Sequence, residues 1–117
     1  MSTAQFVPIA NAGELSHVFS PDDGTPKVVF LDDPSCPISA AARRRVSRFD
    51  GDVLTIDVSR QGDLSRQIAT LTGVQHESPQ AFVVANGVTL WNASHQRISE
   101  QAIKAAIARM SGEVPAT

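Results

Sequence analysis

The sequence holds a single cysteine, Cys36, in 117 residues. That excludes an internal disulfide, and with it every small disulfide-stapled scaffold. A strong charge of either sign is also missing. Ten Lys and Arg against twelve Asp and Glu leave a formal net charge of −2, with a pI near 5.8. Such a chain offers no basic footprint for nucleic acid or an anionic membrane surface. No apolar run approaches the roughly 20 residues needed to span a bilayer. Met1-Ser2-Thr3-Ala4-Gln5 has neither the basic start nor the apolar stretch of a signal peptide. Three dispersed histidines and one cysteine lack the spacing of a metal site. There is no internal repeat, linker or low-complexity tract. What is present is 42% hydrophobic and 19% charged, ordinary for one globular domain. The expectation is a single domain over residues 1–117, with 113–117 a loose tail. A cytoplasmic, reducing home follows, where a lone cysteine stays free.

The stretch Asp33-Pro34-Ser35-Cys36-Pro37-Ile38-Ser39 organises the rest. An apolar run, Val28-Val29-Phe30-Leu31, ends just before it, and a helical pattern starts just after it. At a strand-to-helix junction a cysteine meets the unpaired N–H groups and partial positive charge of the helix start. Such a place favours the thiolate, which is the reactive form. Pro37 suits the first helical position, where no N–H is needed. Set against this is the commoner fate of a lone cysteine, that of a small buried hydrophobe.

Taken in order, Gln5–Ile9 reads as a weak strand that Pro8 confines to a sheet edge. Asn11 with Glu14 resembles a capping box for a helix to about Phe19, burying Leu15, Val18 and Phe19. Lys27–Leu31 reads as a fully buried strand. After the cysteine, Ile38, Ala42, Val46 and Phe49 recur at helical spacing. Asp50-Gly51-Asp52 closes that helix, and Val53–Val58 is the next strand. Asp63 is expected to cap a helix with Leu64, Ile68 and Leu71 inward, ending at Gly73. After the irregular His76-Glu77-Ser78-Pro79, Asn86-Gly87 joins Ala81–Ala85 to Val88–Trp91 as a hairpin. Ser99 then caps a last helix with Ile103, Ile107 and Met110 inward and Ile98 stapled to Ile103. Gly112 ends it. This order predicts an α/β fold: two parallel βα crossovers and an antiparallel hairpin make a mixed central sheet flanked by helices on both faces.

With a cysteine after the second strand and a proline before the hairpin, this order resembles the thioredoxin-like fold. Three motifs narrow it: Ser35-Cys36-Pro37-Ile38-Ser39-Ala40-Ala41-Ala42, Thr72 through Gln80 including His76-Glu77-Ser78-Pro79, and Trp91-Asn92-Ala93-Ser94-His95. They are similar to the monothiol bacilliredoxin family of bacterial thioredoxin-like proteins. The resemblance implies removal of bacillithiol from protein mixed disulfides. Bacillithiol is a low-molecular-weight thiol that some bacteria use in place of glutathione. It also implies no tightly bound cofactor, bacillithiol as co-substrate, and bacillithiolated proteins as partners, with neither nucleic acid nor membrane. Cys36 is then the catalytic thiol. Pro79 matches the cis-proline of the fold, so that the Ser78 backbone faces Cys36 and pairs with substrate. One departure stands out. In the family, basic or His and Ser residues precede the cysteine segment, whereas here Asp32 and Asp33 do. Carboxylates close to a thiol oppose its ionisation.

A thiolate attacks a mixed disulfide and takes over the small thiol. In two-cysteine thioredoxins the resolving cysteine lies three positions on, and here that position is Ser39. Ser39 either hydrogen-bonds the Cys36 sulfur or is a plain polar first-turn residue. His76 either orients the site or faces solvent. Trp91 reads as core rather than ligand platform. Arg43, Arg44 and Arg45 read as a solvated helical face, set against a role in holding a carboxylate-bearing thiol. Two other functions compete with exchange: an iron–sulfur cluster carrier of the monothiol glutaredoxin type, and a redox-silent adaptor.

Overall fold

In the computed structural model the described residues are 3–110. Five strands and four helices follow the predicted order: β1 (Ala4–Pro8), α1 (Ala12–Val18), β2 (Lys27–Asp32), α2 (Pro37–Val46), β3 (Gly51–Asp57), α3 (Gly62–Thr72), β4 (Gln80–Ala85), β5 (Val88–Ser94) and α4 (Glu100–Met110). A short 3₁₀ turn, His95–Arg97, links β5 to α4. The sheet order is β1-β3-β2-β4-β5. β1, β3 and β2 run parallel, and β4 and β5 are antiparallel to their neighbours. β1 lies at an edge, the position that tolerates Pro8.

β2 and β4 are central and buried along almost their whole length, so alternate side chains feed two cores. Val28, Phe30, Ala81 and Val83 face α2 and α4, meeting Ala42, Val46, Ile103 and Ala106. Val29, Leu31, Phe82 and Val84 face α1 and α3, meeting Leu15, Val18, Leu64 and Ile68. This is the mixed sheet with helices on both faces.

Caps and turns follow local chemistry. The Asn11 side chain accepts the Glu14 N–H at 2.9 Å, while the Glu14 carboxylate reaches back to the Ala10 N–H at 2.7 Å. The return bond thus lands one residue earlier than in the usual capping box. Ser99 Oγ accepts the Ala102 N–H at 3.1 Å, as a capping serine does. Asn86 and Gly87 both have positive φ, 51° and 77°, the signature of a type I′ hairpin turn. β5 runs on to Ser94, past the expected Trp91, with a register shift beside Val83 and Val84. Ile98 and Ile103 are both fully buried in the α2–α4 core.

Four expectations need correction. Ile38 is 55% exposed. The inward face of α2 runs through Ser39, Ala42 and Val46. At about 100° per residue Ile38 lies about 40° outside the edge of that sector, which Ala42 marks. Leu71 is 46% exposed, and after the left-handed turn at Gly73 it is Val74 that packs on the α1–α3 core. Asp63 does not cap α3. The helix starts at Gly62 after Gln61, whose carbonyl accepts from Leu64 and Ser65, and Asp63 complements the helix dipole in the first turn. Phe49 lies beyond α2 and packs half-buried against the core. The inward Met110 side chain, the helix end at Gly112 and the loose tail fall outside the described residues. No described helix is long and apolar enough to cross a membrane.

Candidate functional site

Cys36 ends a tight turn off β2. Its N–H donates to the Asp33 carbonyl at 3.0 Å, and its own carbonyl accepts the Ala40 N–H at 3.0 Å. It is the N-cap of α2, in extended geometry, with Pro37 next. The thiol is free and half-buried. The residue thus stands where the first N–H groups of the helix are unpaired and the helix end is partly positive. Pro34, Ser35, Pro37 and Ile38 around it are exposed.

Ser39 sits in the first turn of α2 and is completely buried. Its Oγ accepts the Asp33 N–H at 3.3 Å. Its observed partner is therefore the cysteine turn's backbone rather than the Cys36 sulfur. Asp33 Oδ1 in turn accepts from the Ser35 N–H at 3.1 Å and the Ser35 hydroxyl at 2.8 Å. These three bonds hold residues 33–39 as one local unit.

The second half of the site comes from β4. Leu31 pairs with Gln80, so the residues just beyond the end of β2 and those just before β4 meet at one end of the sheet. The Ser78–Pro79 bond is cis, and Pro79 is buried. Gln80, only 2% exposed, braces this loop: its Nε2 donates to the Gln75 carbonyl at 3.1 Å and its Oε1 accepts the Glu77 N–H at 3.3 Å. Ser78 Oγ is buried without a hydrogen-bond partner. The Pro79 carbonyl accepts the His95 N–H at 3.1 Å, tying the loop to the end of β5. His76 lies on the same loop, exposed to solvent. Trp91 is half-buried against the α2–α4 core, as the hairpin pattern suggested.

The arginine face of α2 departs from the sequence reading. Only Arg44 is simply solvent-exposed. Arg45 donates through Nε to the Ile98 carbonyl at 2.7 Å and through Nη2 to the His95 carbonyl at 2.8 Å. It thereby closes the 3₁₀ turn onto α2. Arg43 pairs with Asp32 and lies over the Phe6 ring at 4.8 Å. Asp32 extends β2 by one residue and is only 4% exposed. Its Oδ2 meets Arg43, while its Oδ1 is buried with no partner. Burial pushes its carboxyl up from the ordinary value, the Arg43 guanidinium pulls it back, and Asp57 and Asp33 add to the upward push. The two carboxylates before the cysteine are therefore engaged, Asp32 by Arg43 and Asp33 by Ser35.

The sequence offered Asp32 as a charge near the thiol and Arg43 and Arg45 as a solvated face or a carboxylate holder, but the contacts that Gln80, Arg43, Arg45 and Asp32 make were not legible. Each acts on a partner remote in the chain or on backbone, and polar residues carry no periodicity signal. Among the described residues, no group of three or more His, Cys, Asp or Glu could hold a metal ion.

Residues 7–103 match the family described as monothiol bacilliredoxin BrxC. A solved structure described as a candidate oxidoreductase with a thioredoxin fold is 32% identical, with a TM-score of 0.75 over 86% of this chain and 92% of that one. Thioredoxin from Malassezia sympodialis is 14% identical, with a TM-score of 0.69 over 95% of each chain. A mutant thioredoxin from Halobacterium salinarum is 21% identical, with a TM-score of 0.65 over 98% of each chain. The two thioredoxins share the fold.

Proposed function

The chain belongs to the monothiol bacilliredoxin family, and from that premise we propose that Cys36 removes bacillithiol from protein mixed disulfides. The coarser function, thiol redox chemistry on a thioredoxin-like fold, is common to the family and to the 32%-identical oxidoreductase-like neighbour. The observation that carries the finer reading is the position of the one free thiol: Cys36 caps α2, and Ser39 stands where a resolving cysteine would be.

In the first step the Cys36 thiolate attacks the bacillithiol sulfur of the mixed disulfide. The old S–S bond breaks, the client leaves as a thiolate and takes a proton from water, and Cys36 carries bacillithiol as a new disulfide. No other cysteine exists to expel it. A second bacillithiol thiolate attacks the adduct, regenerating the Cys36 thiolate and releasing bacillithiol disulfide. No net electrons are added or removed. Bacillithiol is thus co-substrate, with no tightly bound cofactor, and the clients are bacillithiolated proteins in a reducing cytoplasm. The cis Ser78–Pro79 segment supports substrate pairing. Its Ser78 N–H and carbonyl make no hydrogen bond among the described residues, leaving both free for an extended chain.

The test is intact-mass analysis after exposure to oxidised bacillithiol, oxidised glutathione and the disulfide of coenzyme A. One adduct on Cys36, formed fastest with bacillithiol and absent in Cys36→Ser, is expected. No adduct from any of the three, together with cluster absorbance after anaerobic iron–sulfur reconstitution, would replace this reading with cluster carriage.

A further inference from the structure

A cleft of about 410 Å³ opens beside the cysteine turn, with Asp32, Pro34, Arg43, Asp57 and Arg60 on its walls. It lies at the C-terminal ends of the parallel strands, where crevices of such sheets bind ligands. Its size falls in the range of small-molecule sites. Pro34 is two residues from Cys36, so their Cα atoms are at most about 7 Å apart. The hydrogen bond from Cys36 N–H to the Asp33 carbonyl holds the cysteine in the tight turn that contains Pro34. We propose that this cleft seats the anionic end of the small thiol that exchanges at Cys36, with Arg60 and the free edge of Arg43 taking its carboxylate. The proposal rests on the exchange reading above.

The formal charges of the two arginines and two aspartates cancel, but what a ligand can touch does not. Asp32 Oδ2 is held by Arg43 and Oδ1 is buried. Asp57 Oδ1 accepts both the Ser59 N–H at 3.0 Å and the Ser59 hydroxyl at 2.5 Å, which leaves Oδ2, 3.9 Å from Arg60 Nε, as the carboxylate oxygen a ligand can still meet. The guanidiniums have donors to spare. Arg60 is 86% exposed and only 3.9 Å from Asp57. Arg43, 43% exposed, gives one Nη1 to Asp32 and a flat face to Phe6. The N–H groups in its plane are the part left over, and an Arg fork has five donors. The accessible lining is therefore rich in cationic donors, the arrangement that takes a carboxylate in two-pronged fashion. A neutral thiol would gain nothing from it.

The experiment uses the full chain and three symmetrical disulfides with the same two-carbon arm: dithiodipropionate, hydroxyethyl disulfide and cystamine. Their ends are carboxylate, hydroxyl and ammonium. Second-order rates of adduct formation on Cys36 are read by intact mass in the native protein, Arg60→Gln and Arg60→Glu. Arg109→Glu, an exposed α4 position, makes the same charge change on a residue that does not line the cleft. Arg60→Gln should slow dithiodipropionate about threefold to tenfold, and Arg60→Glu more, with hydroxyethyl disulfide unchanged and cystamine not slowed. Added salt should shrink the difference. Equal slowing by Arg60→Glu and Arg109→Glu would reduce the effect to net charge and overturn the cleft. So would an unchanged dithiodipropionate rate in Arg60→Gln. Reaction with all three disulfides but without discrimination overturns the cleft alone. Failure of every disulfide to modify Cys36 overturns the exchange reading and the cleft together.

Discussion

At Asp32 a carboxylate is buried with one oxygen on Arg43 and the other on nothing. Its folded pKa lies above the ordinary 3.8, chiefly because burial disfavours the charge. Between 3.8 and the raised folded value, the native state holds more protons than the unfolded chain. Stability from this group is therefore full below 3.8 and is lost as pH rises through the folded value. Asp32→Asn should flatten that slope in urea midpoints measured across the acid range. Arg43→Met should lower stability at neutral pH by about 1–3 kcal/mol, because it strands a buried carboxylate. The loss should shrink in acid, and adding Asp32→Asn should recover most of it. An Arg43→Met loss that is independent of pH would mean that packing on Phe6, not the ion pair, is what Arg43 contributes. Ser39 is the other telling residue. It lies three positions beyond Cys36 in the first turn of α2, with its side chain buried. Cα atoms so spaced lie about 5–6 Å apart, within disulfide range. Ser39→Cys should oxidise to an intramolecular disulfide and no longer keep a thiol adduct, since the new thiol attacks it at high effective concentration. Thiol counting after mild oxidation checks this, and two free thiols would contradict it.

Among the elements, the end of α3 and the hairpin turn are set by glycines whose roles differ. Gly73 closes α3 with φ of 70°, and a Cβ there would meet nothing within 4 Å. Gly73→Ala should therefore cost only the left-handed backbone strain, about 1 kcal/mol. Gly87 has φ of 77°, and a Cβ there would come within 2.8 Å of the Phe19 carbonyl oxygen. The hairpin turn is thus pressed against the end of α1, and the Asn86 side chain also accepts the Asp22 N–H at 2.8 Å. Gly87→Ala should cost clearly more than Gly73→Ala in urea unfolding, because backbone must move as well as strain. Equal losses would show that the contact between the turn and α1 yields at no cost.

At the scale of the molecule, the central strands divide the interior into two packed layers that share a sheet but few side chains. Ile103 belongs to the α2–α4 core and Ile68 to the α1–α3 core, both almost fully buried. Ile103→Val and Ile68→Val should each cost about 0.5–1.5 kcal/mol. The double variant should lose their sum within about 0.5 kcal/mol, since the sites share no partner. A larger departure in denaturant unfolding would mean that the layers communicate through the sheet. The candidate site stands where this sheet ends. The Cys36 turn leaves β2, the Pro79 loop enters β4, and the cleft opens beyond β1 and β3.

Period and punctuation carried most of the fold into the sequence. The unbroken apolar runs of β2 and β4, the Asn86-Gly87 turn, the Asn11 and Ser99 caps and Gly73 are local devices, each acting within a few residues. Cys36 before Pro37 at the strand-to-helix junction is equally local, which is why its place at the start of α2 was legible. Ile38 and Leu71 were misplaced because a four-residue spacing does not say which arc of a helix meets the sheet, and only packing settles that. Arg43 on Asp32, Arg45 on the His95 and Ile98 carbonyls, and Gln80 on its loop depend on side chains meeting partners that packing selects. Burial decided the rest: it turned Asp32 from one more acidic residue before the cysteine into an engaged, half-satisfied carboxylate. The strength of an electrostatic contact depends on how much water the folded chain excludes from it, and a sequence does not specify that.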